Sequence, residues 1–136
     1  FTLMASIANI TVKKSDGTTD VIYVAATPSA GDKSPAVWTQ DAFSGIQGFR
    51  PRFELQTQDN GSGTVRQVRV KYVYPSLYTD STTGLSKQLA NELFDGTFNM
   101  PKQMTTTEWK EGWAQLGNLL CSTLVRGSVE TGFAPT

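Results

Sequence analysis

Histidine is absent from the 136-residue chain, and cysteine occurs once, at Cys121. The first absence removes the commonest general base and the commonest transition-metal ligand together. The second excludes an internal disulfide and any cysteine cluster able to hold zinc. Net charge is lacking too, because twelve basic residues cancel twelve acidic ones. The sum of charge therefore names no partner, and only its distribution can. Apolar runs are short, and none approaches the roughly 20 residues that span a bilayer. These gaps count against an enzyme and imply no cofactor, no metal and no membrane partner. A carboxylate-based hydrolase would need paired acids converging in a cleft, and the pattern offers none.

The opening Phe1-Thr2-Leu3-Met4-Ala5-Ser6 is too short and uncharged for a secretory signal. Met4-Ala5-Ser6 reads as a natural start, with Phe1 to Leu3 an upstream remnant. The expectation is a soluble protein made in a reducing cytoplasm. The length suits a single domain over residues 1–136. A monomer of this size buries only about two-thirds of its unfolded surface, which leaves room for a core completed against a partner.

What is present divides into a long β-patterned part and a short helical end. Residues 7–14 alternate loosely, Asp16-Gly17 supplies a turn, and residues 20–26 return, which predicts a β-hairpin. Residues 35–40, carrying Val37 and Trp38, predict a short strand, followed by a loop over 41–48. From 49 to 58 one face reads Phe49, Pro51, Phe53, Leu55, Thr57 and the other Arg50, Arg52, Glu54, Gln56, Gln58. That is the period of two of a sheet half open to water. Pro51 weakens the ladder or lies near an edge. After a Gly-rich hairpin loop at 59–64, Val68, Val70, Tyr72 and Tyr74 point inward, with Gln67, Arg69, Lys71 and Val73 outward. Pro75 is expected to end that strand and to open a protruding Ser/Thr-rich loop over 76–86. A last strand is predicted for 90–100, with Phe94, Phe98 and Met100 opposite Asp95, Thr97 and Asn99.

After Pro101 the period changes. Thr105-Thr106-Thr107-Glu108 has capping-box spacing. Trp109, Trp113, Leu116, Leu120 and Leu124 then recur every three or four residues, the stripe of an amphipathic helix. Arg126-Gly127 marks a break before a tail over 129–136. The fold class is α+β: an antiparallel sheet of five to six strands with an N-terminal hairpin, then one or two C-terminal helices.

Residues 50–71 hold Arg50, Arg52, Arg66, Arg69 and Lys71 against only Glu54 and Asp59. Period two puts Arg50, Arg52, Arg69 and Lys71 on one face beside the amides Gln56, Gln58, Gln67 and Asn99. Such a face can neutralise phosphates and hydrogen-bond splayed bases. Any solvated sheet face also carries Arg, Lys and Gln, and chemistry alone weighs the two readings about evenly.

This order of elements resembles the coat proteins of the levivirus-type single-stranded RNA bacteriophages. Its most specific pieces are Val70-Lys71-Tyr72-Val73-Tyr74-Pro75 and the strand, Pro101, helix junction after Phe98-Asn99-Met100. The resemblance covers the chain after Met4. It implies an obligate, intertwined homodimer with two C-terminal helices per chain, the helices of one chain crossing the sheet of the other. Trp109, Trp113, Leu116 and Leu120 would then be dimer-interface residues. It further implies closure of dimers into an icosahedral shell, a location in the virion after assembly in the bacterial cytoplasm, and packaging of single-stranded genomic RNA. In the family an RNA hairpin also represses replicase translation. Matched on Pro75 and Pro101, the family's RNA-facing positions fall on Arg50, Arg52, Glu54, Gln56, Gln58, Arg69, Lys71, Leu93, Asp95 and Thr97. Departures are informative: Leu93 stands where members carry a stacking aromatic, and Arg52 and Glu54 replace small hydroxyl residues of an adenine pocket. The rival is a host-encoded β-sheet RNA-binding module, which would carry aromatics on its RNA-facing strands. Here they alternate onto the other face. Trp38, Trp109 and Trp113 read as core or interface anchors, and Cys121 as a small buried hydrophobe.

Overall fold

The computed structural model describes residues 6–136, so the expected Met4 start and its upstream remnant lie outside the described residues. The strands are β1 (Ile10–Lys13), β2 (Asp20–Thr27), β3 (Ala36–Thr39), β4 (Arg52–Asp59), β5 (Val65–Thr79) and β6 (Ser86–Pro101). They form one sheet in sequence order, and the paired neighbours from β1 to β5 run antiparallel. Two helices follow, α1 (Thr106–Leu120) and α2 (Thr123–Thr131). The chain divides into two compact units, Phe1–Asn99 and Met100–Thr136.

In the sheet unit the first turn forms because Asp16 satisfies three donors at once. Its carboxylate accepts from Thr18 N and Thr19 N at 2.9 Å each and from Thr19 Oγ1 at 2.6 Å. Gly17 takes the left-handed φ of 75° that a side chain would resist. Those bonds, the Thr19 hydroxyl first, hold the Asp16 carboxyl far below the usual carboxylate range. The register then sets two faces. Phe53 lies opposite Tyr72 and Trp38, while Glu54 lies opposite Lys71 and Val37. Trp38 is buried, its ring 5.5 Å from Phe53 and its Nε1 donating to Ala8 O at 2.8 Å. Tyr23 and Tyr72 share a hydroxyl hydrogen bond of 2.8 Å on that face. Ile10, Val12, Tyr23, Phe53 and Tyr72 line an open apolar hollow of about 310 Å³ there.

Several expected boundaries move. Pro75 does not end its strand; β5 continues to Thr79 and β6 begins at Ser86. The pairing of β5 with β4 stops at Val73, so the N–H that Pro75 lacks is not missed on that side. The protruding loop therefore shrinks to a turn, in which Asp80 N donates to Leu85 O at 2.8 Å and Gly84 N to Asp80 O at 2.7 Å. Phe49 and Arg50 leave the strand as well. Residues 41–43 and 47–49 form single 3-10 turns, and Pro51 is fully buried just before β4.

In the helical unit, Thr105 caps α1 by accepting from Glu108 N at 3.2 Å, as the spacing predicts. The helix break falls at Cys121-Ser122 rather than at Arg126-Gly127. Ser122 is extended (φ −66°, ψ 151°) and Arg126 N restarts the ladder on Ser122 O, so Arg126 and Gly127 lie inside α2. Gly132 closes α2 at φ 80°. Neither helix buries a residue. Trp113, Leu116, Leu120 and Leu124 are 44%, 37%, 50% and 67% exposed. Cys121 is exposed, correcting the expectation of a buried thiol; it follows the last turn of α1 instead of sitting on its apolar stripe.

Candidate nucleic-acid interface

Strands β4 and β5 pair through eight residues, from Arg52 opposite Val73 to Asp59 opposite Arg66. Alternation then gathers Arg52, Glu54, Gln56 and Gln58 with Gln67, Arg69 and Lys71 on the polar face. The amides are linked in series. Gln56 Nε2 donates to Gln58 Oε1 and Gln58 Nε2 to Gln67 Oε1, both at 3.2 Å, and Gln67 Nε2 donates to Asn99 Oδ1 at 2.9 Å. That last bond carries the series onto β6 and brings Asn99 beside the β5 residues, as the alternation of β6 requires. Thr97, two residues earlier on β6, is exposed.

The five basic residues prove unequal. Arg50, predicted on this face, is drawn into the preceding loop, where Nε donates to Ser44 O at 2.8 Å and Nη1 reaches Asp41 Oδ1 at 3.2 Å. The strand begins only after the buried Pro51, so the period of two does not extend back to Arg50. Arg52 gives Nε and Nη2 to Glu54 Oε1 at 3.0 and 2.7 Å. Arg66 is on the opposite alternation and is bound by Asp32 and Asp59. These bonds, Asp32 first, raise its affinity for its proton further. Arg69 and Lys71 make no hydrogen bond or ion pair among the described residues and are exposed. On this face they are the two cations without a partner among the described residues, available to a phosphate.

A polar hollow of about 210 Å³ opens on the same face, lined by Pro35, Glu54, Gln56, Arg69, Lys71 and Asp95. Pro35 joins this hollow without any signal in the sequence, because only the pairing of β3 with β4 brings the residues before Val37 beside Glu54. The neutralisation of Arg66 by Asp32 was equally hidden, since 34 residues separate them. Among the described residues no group of acids, histidines or cysteines could hold a metal ion. No helix among the described residues is long and apolar enough to cross a membrane.

No protein-family model matches the chain, and no curated protein matches it. Solved structures do. The chain resembles the virus-like particle protein of bacteriophage NT-214 with a TM-score of 0.81 at 20% identity, over 97% of this chain and 100% of that one. The bacteriophage EMS014 coat protein gives 0.78 at 14% identity, over 97% and 100%. The bacteriophage GA capsid protein gives 0.74 at 14% identity, over 96% and 98%. The fold is therefore that of the levi-like phage coat proteins, from the N-terminal hairpin to the second C-terminal helix.

Proposed function

We propose that this chain is a phage capsid subunit. It forms an obligate homodimer, and dimers close into an icosahedral shell whose inner wall is the polar face of the sheet. That face binds and packages single-stranded genomic RNA and holds a genomic hairpin that represses translation. Assembly takes place in the bacterial cytoplasm, and the protein resides in the virion.

The observation that carries the reading is the uncovered apolar stripe of α1 in a chain with the shell-protein fold. A chain whose buried side chains among the described residues are Tyr23, Val37, Trp38 and the prolines Pro51 and Pro75 is short of core. Covering a Leu or Trp side chain fully is worth about 1.5–3 kcal/mol. A second copy that laid Trp109, Trp113, Leu116 and Leu120 over the apolar hollow of the sheet would supply several kcal/mol per subunit. The free cations Arg69 and Lys71, set among linked amides, support the RNA-binding part of the reading.

The test is expression of the chain alone in bacteria, followed by sedimentation and electron microscopy. The expected result is a closed particle of millions of daltons containing nuclease-protected host RNA. Monomers and small oligomers alone would overturn the shell reading, and empty shells would overturn the packaging role.

A further inference from the structure

The hollow between Glu54 and Asp95 has an unequal supply of hydrogen-bonding groups. Arg52 directs its Nε and Nη2 donors to Glu54 Oε1, and Glu54 Oε2 accepts nothing among the described residues. Gln56 donates to Gln58, and its own oxygen accepts nothing among them. Asp95 makes no hydrogen bond among the described residues. The groups left over around the hollow are thus acceptors from Glu54, Gln56 and Asp95, with donors on the cations Arg69 and Lys71 and the second amide N–H of Gln56.

We propose that this hollow is a base-reading subsite selective for guanine in single-stranded RNA, with Glu54 as the specificity-determining residue. The inference rests on the RNA-binding reading above and adds the identity of the base. Guanine presents two adjacent donors, N1–H and the N2 amine, to a carboxylate. Adenine sets one amine beside the acceptor N1, which a carboxylate repels. Uracil has a single N3–H flanked by two carbonyl acceptors, and cytosine offers one amine. The Glu54 carboxylate is suited to the discrimination because its side chain is only 22% exposed and Arg52 fixes its orientation. Arg69 and Lys71 then take the flanking phosphates, where they contribute affinity without sequence preference.

The experiment is fluorescence anisotropy of full-length subunits, dissociated from purified particles, with labelled RNA decamers. One decamer is all uridine, and the others carry a single central guanosine, inosine or adenosine. The wild type is expected to bind the guanosine decamer about tenfold tighter than the adenosine one, within the range of a bidentate base contact. Inosine, which keeps N1–H but lacks the N2 amine, should fall between them. Glu54→Gln should bring the guanosine-to-adenosine ratio to within about twofold of one, even if release of Arg52 raises affinity for every decamer. Arg69→Ala/Lys71→Ala should weaken all four alike and leave the ratio intact. Equal binding of the guanosine and adenosine decamers by the wild type would overturn the inference. So would a guanosine preference that survives Glu54→Gln. Absence of salt-dependent binding to any decamer, the all-uridine one included, would overturn the RNA-binding reading and this inference together.

Discussion

Replacing Arg69 and Lys71 together by alanine removes the two cations of the polar face that have no partner among the described residues. Each phosphate neutralised on a single strand adds about 0.7 to the slope of log affinity against log salt. With two phosphates per chain no longer neutralised, the slope should flatten by about 1.4. Between about 50 and 200 mM salt, a fourfold range, that amounts to about 0.8 of a decade, or about sevenfold in affinity. The assay is binding of unstructured RNA to dissociated subunits across that range, with the RNA content of particles as a parallel readout. Arg66→Ala is the internal control. Its guanidinium is held by Asp32 and Asp59, so its loss should leave the slope nearly unchanged although it too removes a positive charge. A double variant with the wild-type slope would refute the assignment. An Arg66 variant with an equal loss would show that general charge, and not the two free cations, sets binding.

Leu116→Asp or Leu120→Asp should stop dimerisation. Each places a carboxylate on a stripe whose covering is worth about 1.5–3 kcal/mol per side chain, and each acts twice in a symmetric dimer; sedimentation velocity should show monomer or aggregate in place of particles. Trp38→Ala should destabilise the sheet unit by about 3–5 kcal/mol, because the ring packs on Phe53 and its N–H is bound to Ala8 O; urea unfolding of dissociated subunits measures it. Burial raises the phenol pKa values of Tyr23 and Tyr72, and for Tyr72 the bond to Tyr23 raises it further. This stability is complete below the unfolded value of 10.0 and is lost as pH rises through the folded values. Tyr72→Phe should therefore be less stable at neutral pH and lose less between about pH 10 and 12, as followed by thermal melting across that range.

The parts of the fold legible from sequence are those where one face is buried and the other wet. The run from Phe53 to Gln58 and the run from Gln67 to Val73 announced both faces and their residues, because a one-residue slip would have inverted every side chain. Thr105 and Glu108 likewise announced the start of α1. What failed was punctuation. Pro75 looked like a strand end, yet it lies where β5 has already left β4, and no local pattern reports where a neighbour stops. Gly127 looked like a break but is tolerated in α2, while Ser122 made the real break by adopting an extended backbone. At the candidate site, residue types are legible in the sequence and their partners are not. Arg50, Arg52, Arg66, Arg69 and Lys71 look alike in sequence, and only the fold shows that Asp41, Glu54, Asp32 and Asp59 engage three of them.

The most direct test is a density map of the assembled particle at side-chain detail. It is expected to place Trp113, Leu116 and Leu120 of each chain against the apolar face of a neighbouring chain's sheet, with Arg69 and Lys71 turned to the interior beside RNA density. A map in which the helices fold back only onto their own sheet, or in which those two cations line the outer surface, would contradict the account.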